Sequence, residues 1–164
     1  MKTYKQIAEF GQQLMLLGEV DNALELIAKE AKKLLNTERC SIFIVDKEEE
    51  ILWTKLSDGI GRIVLSLDAG IVGDTYKKQS AQIVNDPYND ARFLQIIDKK
   101  SGYTTKNIIS VPIFDSKRDI IGIIELLNKS RDNFNEEDLE TVSFFANYIS
   151  GSLELILMHK KLYM

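Results

Sequence analysis

The sequence predicts an α+β fold: a central antiparallel sheet of five to six strands, with the N- and C-terminal helices on one face and short helices and loops on the other. Three observations carry this. Apolar residues recur at helical spacing at both ends of the chain, β-rich runs fill the middle, and each change of rhythm falls on charged or glycine-containing turns. With 164 residues, 45% of them hydrophobic, the chain has the length and composition of one packed unit. No repeat, low-complexity tract or linker divides it, so residues 1–164 are expected to form a single domain.

Ile7, Phe10, Leu14 and Leu17 form the first helical stripe. After a break at Gly18 and Glu19, the cap candidate Asp21 opens a second helix bearing Ala23, Leu24, Ile27, Ala28, Ala31, Leu34 and Leu35. Residues 40–46 are a β-rich run, joined through the charged turn 47–50 to a second strand at 51–56. Ser57, Asp58 and Gly59 turn the chain into a third strand at 62–67. A short helix is expected from Gly70, where Ile71, Val72 and Tyr76 share a face, followed by a brief strand at 82–84. Asp90 is placed as the cap of a helix carrying Phe93, Leu94, Ile96 and Ile97. Residues 108–114 and 120–127, separated by the charged hairpin 115–119, are expected to form the centre of the sheet. Asn135, Glu136, Glu137 and Asp138 open the last helix, whose acidic first turn suits the helix dipole. Its apolar set runs from Leu139 through Val142, Phe145, Ala146, Ile149, Leu153 and Ile156 to Leu157.

Composition excludes several function classes. Lys and Arg total 21 against 25 Asp and Glu, a net charge of -4, so no global positive field attracts nucleic acid or anionic lipid. Cys40 is the only cysteine, which rules out an internal disulfide or a cysteine zinc site and reads as a buried structural thiol. His159, the only histidine, sits beside Lys160 and Lys161 and reads as a solvated helix end. No Ser-His-Asp set or metal cluster is available, so no catalysis and no required cofactor or metal is expected. The N-terminus lacks a signal-like apolar stretch and no apolar run approaches roughly 20 residues, so a cytoplasmic location without membrane contact is expected.

The chemistry concentrates between Gly70 and Pro112. Gly70 to Gly73 frame a helix start, Asn85 to Arg92 form an Asp-rich loop, and Asp98, Ser101 and Thr105 follow within a short span. Free helix amides, carboxylates and hydroxyls in one segment suit gripping a small anionic or heteroaromatic molecule. Glu125 interrupts an otherwise apolar strand, a costly position unless it is paired or faces a wet cavity; it lines a pocket or lies on an exposed sheet face.

The run Gly70, Gly73, Asp86, Arg92, Phe93, Asp98, Ser101, Gly102, Tyr103, Thr105, Asn107, Val111 and Pro112 resembles a GAF domain, of the subtype found in cyclic-nucleotide phosphodiesterases and adenylyl cyclases. Asn128, Lys129, Phe134 and Asp138 resemble that subtype's Asn-Lys…Phe…Asp-Glu motif, with Leu139 in place of the final Glu. The resemblance implies a sensory domain that binds cyclic AMP or cyclic GMP and passes occupancy through its terminal helices to an effector domain. It implies ligand contacts from Ser41, Ser57, Asp58, the amides of Ile71 and Val72, Asp98, Ser101, Thr105 and Glu125. Asp58 is the candidate for the purine edge. Ser57 departs from the pattern, because an aromatic ring that stacks on the base tends to stand there. Lys129 and Asp138 would form a brace beneath the pocket; otherwise they are two surface charges. Ser41 is equally a plain polar strand residue, and Asp58 before Gly59 is equally turn chemistry. Chromophore, haem and sulfoxide-reductase branches of the family need cysteine or histidine sets that this chain lacks. The resemblance also implies a homodimer, with residues 1–18 and 150–164 as connector helices. Ile7, Phe10, Leu14, Leu17, Leu153, Ile156, Leu157 and Leu162 either pair across such a dimer or pack within one chain.

Overall fold

The computed structural model describes the backbone of residues 2–15, 20–56 and 61–162, and the side chains of 4–10, 20–54 and 63–158. The break at Gly18 and Glu19, the turn residues Ser57, Asp58 and Gly59, and the side chains of Leu14, Leu17, His159 and Leu162 lie outside these. Five α-helices and six strands follow one another among the described residues: α1 Lys2–Met15, α2 Val20–Leu35, β1 Thr37–Asp46, β2 Ile51–Leu56, β3 Gly61–Ser66, α3 Gly70–Lys78, β4 Gln82–Val84, α4 Gln95–Ser101, β5 Ile108–Phe114, β6 Ile120–Lys129 and α5 Glu136–Leu162. The strands form one antiparallel sheet in the order β3-β2-β1-β6-β5-β4.

β1 and β6 form the centre, not the expected pair β5 and β6. Their register runs from Thr37 opposite Lys129 to Ile44 opposite Gly122. This pairing extends both strands past their apolar stretches, into 37–39 and 128–129, where polar residues gave no strand signal. Alternation along β1 and β6 then sorts the two faces. Ile42, Ile44, Ile124 and Leu126 join the main core with α2 and α5, whereas Phe43 and Ile123 turn to the opposite side with Val72.

The helical face buries Ala23, Leu24, Ile27 and Ala31 of α2 against Val142, Phe145, Ile149 and Leu153 of α5. α5 is long and apolar enough to cross a membrane, yet these residues of it lie in the core of the fold. α1 covers the same bundle from outside. Phe10 stacks 5.5 Å from Phe145, and the Tyr148 hydroxyl donates to the Ala8 carbonyl at 3.1 Å. Ile7, Phe10, Leu153 and Ile156 are buried within one chain, the second of the two uses their stripes allowed. A different stripe, Phe144, Tyr148, Leu155 and Met158, is partly exposed along one side of α5, its first two residues touching Tyr4 and Ala8 of α1.

The segment before α4 also departs from expectation. Asp90 does not cap it, and the helix starts at Gln95. A 3-10 turn, Pro87–Asn89, closes instead on the Asp90 amide, and the Asp90 carboxylate accepts the Arg92 backbone N–H, Nε and Nη2 at 2.9, 2.9 and 2.6 Å. A carboxylate held by a guanidinium two residues on has no reach for helix amides.

Candidate functional site

On the sheet face away from α2 and α5, a cavity of about 60 Å³ lies between β6, α3 and α4. Two glycines set α3 there. Gly70 adopts φ +69°, in the left-handed region that favours glycine, and a Cβ on Gly73 would meet the Asp68 backbone at 2.5 Å. The first turn of α3 thus lies directly on the preceding loop. Its N-cap, Ala69, offers no side-chain acceptor, so no side chain caps the leading amides, and the helix N-terminus presents positive partial charge.

α4 and the strap after it form the outer wall. Asp98, buried on α4, accepts the Thr105 hydroxyl at 3.0 Å through Oδ1 and the Thr105 N–H at 2.9 Å through Oδ2. The Tyr88 hydroxyl also donates to Oδ2, and the Tyr88 ring stands edge-on to Phe93 at 5.3 Å. That hydrogen bond pushes the Tyr88 hydroxyl above its ordinary pKa. One carboxylate therefore closes residues 88–105 into a loop over the sheet. Behind it, Arg92 donates to the Asp74 carboxylate at 2.5 Å and to the side-chain amide oxygen Oε1 of Gln82 at 2.6 Å, tying the strap to α3 and β4. The hydrogen bond from Arg92 holds the Asp90 carboxyl down at about 2.

Glu125 projects from β6 into the same cavity. Among the described residues its carboxylate has no hydrogen-bond partner, and desolvation, reinforced by the Asp98 charge, pushes its pKa up to about 7. The remaining wall is apolar, with Phe43, Leu65, Phe93, Leu94, Ile97 and Leu127. A larger groove of about 180 Å³ opens at the sheet edge near Pro112 and Asn147, but it gathers no carboxylates, and its Arg118 sits 4.4 Å over the Phe114 ring.

The base of the strap is stapled to the end of β6. Asn128, at φ 61°, accepts the Lys106 and Asn107 N–H groups at 2.6 and 3.3 Å and donates to the Thr104 carbonyl at 2.8 Å. Asn107 in turn accepts the Lys129 N–H at 2.9 Å. Lys129 Nζ lies 2.6 Å from Asp138 Oδ2, which also accepts the Asn135 N–H, so the pair joins β6 to the first turn of α5. Phe134 is buried, and its backbone exchanges two 3.1 Å hydrogen bonds with the Asn85 side chain.

Of the residues singled out in the sequence, Ile71, Val72, Asp98, Thr105 and Glu125 meet around this cavity. Ser41 lies directly across from Glu125 on β1, though outside the cavity lining. Ser101 does not join them. It is exposed near the end of α4, where its hydroxyl donates to the Ile97 carbonyl at 2.9 Å, a back-bond typical of serine on a helix. Ser57 and Asp58 lie outside the described residues. Tyr88 and Asn85 were not singled out as contacts; the turn chemistry of 85–90 marked a loop without revealing which carboxylate the loop would fasten.

The GAF domain family model matches residues 19–153, and the chain belongs to that family, whose members are regulatory small-molecule-binding domains. It is 29% identical over 147 residues to a probable 3',5'-cyclic phosphodiesterase of Caenorhabditis elegans, covering 81% of this chain and 20% of that protein. It is 30% identical over 158 residues to a dual 3',5'-cyclic-AMP and -GMP phosphodiesterase of Takifugu rubripes, covering 82% and 17%. The chain thus spans about a fifth of the length of these relatives. Among solved structures, the GAF domain of an Acinetobacter phosphoenolpyruvate-protein phosphotransferase superposes with a TM-score of 0.80 at 14% identity, covering 98% of each chain. A free methionine-R-sulfoxide reductase from Neisseria meningitidis superposes at 0.75 with 16% identity, covering 95% of this chain and 90% of that one. These likenesses show the fold alone.

The half-buried, unpaired acid makes a test possible without any ligand. A carboxyl whose pKa rises to about 7 on folding contributes stability that is fully present below the unfolded value near 4.5 and is lost as pH rises through 7. Glu125→Gln, which stays neutral, should therefore gain on wild type as pH rises, reaching about 1–3 kcal/mol at pH 8. Urea unfolding at pH 5 and pH 8 measures this, and a gain that is the same at both pH values would contradict it.

Proposed function

We propose that this chain is the sensory module of a cytoplasmic signalling protein, binding cyclic AMP or cyclic GMP in the cavity between β6, α3 and α4. The observation that carries the proposal is the convergence of uncapped α3 amides with the hydroxyl and carboxylates of Thr105, Asp98 and Glu125, in a chain whose relatives are cyclic-nucleotide phosphodiesterases. The amides of Ile71 and Val72 hold the cyclic phosphate. Thr105, whose own proton goes to Asp98, accepts from a ribose hydroxyl through Oγ1, and Asp58 accepts from the purine edge, with Ser41 and Ser57 as further polar contacts that the family pattern implies. The domain catalyses nothing itself and hands occupancy to an effector elsewhere in a larger protein.

A nucleotide needs more room than the cavity now gives, since small-molecule sites usually measure ~300–1,000 Å³. Binding therefore requires the wall of α4 and Tyr88 to swing out. The same closure favours a second reading, in which the domain binds no nucleotide, senses a smaller metabolite, or serves only in assembly. Thermal unfolding against a nucleotide panel separates them. Ligand at 100 times its dissociation constant should stabilise the fold by about 2.7 kcal/mol, and Asp58→Ala should abolish most of that gain. No shift with either cyclic nucleotide would favour the second reading.

The exposed stripe of α5 points to a partner of the same kind. Phe144, Tyr148, Leu155 and Met158 recur at heptad spacing, as a two-helix seam requires, so a homodimer along α5 is proposed to carry the signal. Sedimentation at micromolar concentration should show a dimer that Leu155→Asp dissociates. A monomer for both proteins would remove the dimer from the account.

A further inference from the structure

Glu125 sits awkwardly for a site that takes an anion. It stands on β6 between Ser41 of β1 and Ser110 of β5. Ser110 accepts the Thr75 hydroxyl at 2.8 Å, so it belongs to the contact between β5 and α3. α3 faces Glu125 with Ile71 and Val72, and α4 brings Asp98, the other titratable group among the described lining residues. No cation lines the cavity among them. The nearby basic groups are engaged elsewhere, Arg92 with Asp74 and Asp90, and Lys78 with Asp74.

The two carboxylates differ in their surroundings. Asp98 receives three hydrogen bonds from Tyr88 and Thr105. Glu125 receives none. A phosphate at the α3 N-terminus would then share a partly desolvated space with two negative charges, one of them uncompensated. A proton on Glu125 removes that charge and supplies a donor for the ligand's oxygen.

We propose that an anionic ligand enters this cavity together with one proton, taken from solvent and held on the Glu125 carboxyl. This rests on the anion pocket proposed above and adds its regulation: occupancy falls as the surroundings become alkaline. The burial that lifts Glu125 to about 7 places the response near neutral pH. Below that value the proton is already in place. Above it, the ligand must draw the proton in, and affinity declines with each further pH unit.

Isothermal calorimetry with cyclic GMP and cyclic AMP at pH 6 and pH 8 tests this on the intact chain. For a one-proton linkage centred near 7, the wild type should bind about tenfold more weakly at pH 8 than at pH 6. In buffers of different ionisation enthalpy it should take up about one proton per ligand at pH 8. Glu125→Gln should bind equally at both pH values, with no proton uptake. A wild-type affinity unchanged between the two, or the same pH trend in Glu125→Gln, would overturn the proton linkage while leaving the pocket intact. Failure of both proteins to bind either nucleotide at pH 6 would overturn the pocket itself, and this inference with it.

Discussion

The outer wall of the cavity depends on one carboxylate. Asp98 collects the Tyr88 hydroxyl and both polar groups of Thr105, and those three bonds close α4 on its flanking strap, which Arg92 ties to α3 and β4 and Asn128 staples to β6. Hydrogen bonds to a charged group contribute about 1.5–3 kcal/mol each when they replace water well. Loss of those bonds releases α4 from Tyr88 and Thr105, while the Arg92 and Asn128 ties still anchor the two ends of the strap. The sheet beneath is different, since Ile123, Ile124 and Leu126 of β6 are fully buried and β6 is paired along both edges. The fold thus joins a rigid floor to a detachable wall.

β6 is where the two sides of the molecule communicate. Glu125 faces the cavity while Ile124 and Leu126, its neighbours, pack into the core shared with α2 and α5. At the end of the same strand, Asn128 holds the strap and Lys129 reaches Asp138 on α5. A displacement of the strap therefore meets the first turn of the longest helix within two residues. The exposed stripe of Phe144, Tyr148, Leu155 and Met158 continues along that helix. This arrangement gives physical content to a relay from pocket to partner: the proposed signal needs no long path, only a shift at the Asn128 and Lys129 staple.

Much of the fold was legible in the sequence because each long element is periodic over its own length. The stripes of α2 and α5 and the alternation of β1 and β6 declare themselves from local spacing. What remained hidden was decided by contacts distant in sequence. The polar ends of β1 and β6 are strand because Thr37 and Lys129 face each other, not because either segment favours that state. Asp90 carries the chemistry of a helix cap, but Arg92 takes its carboxylate first. The candidate site shows the same division. The convergence of Asp98, Thr105 and Glu125 followed from a family pattern, whereas the role of Tyr88 came only from geometry, and Ser101 points away because its hydroxyl satisfies the helix backbone. The apolar stripe of α1 was visible, but its use within one chain instead of between two depended on where α5 lay.

The central claim is that Asp98 holds the wall and that the wall opens independently of the floor. Native-state hydrogen exchange on Asp98→Ala measures this directly. Amides of residues 95–105 should exchange about tenfold faster or more than in wild type, in line with the loss of charge-assisted bonds, while those of β1 and β6 keep their protection. Unchanged exchange across 95–105, or a uniform loss of protection through the whole sheet, would contradict it.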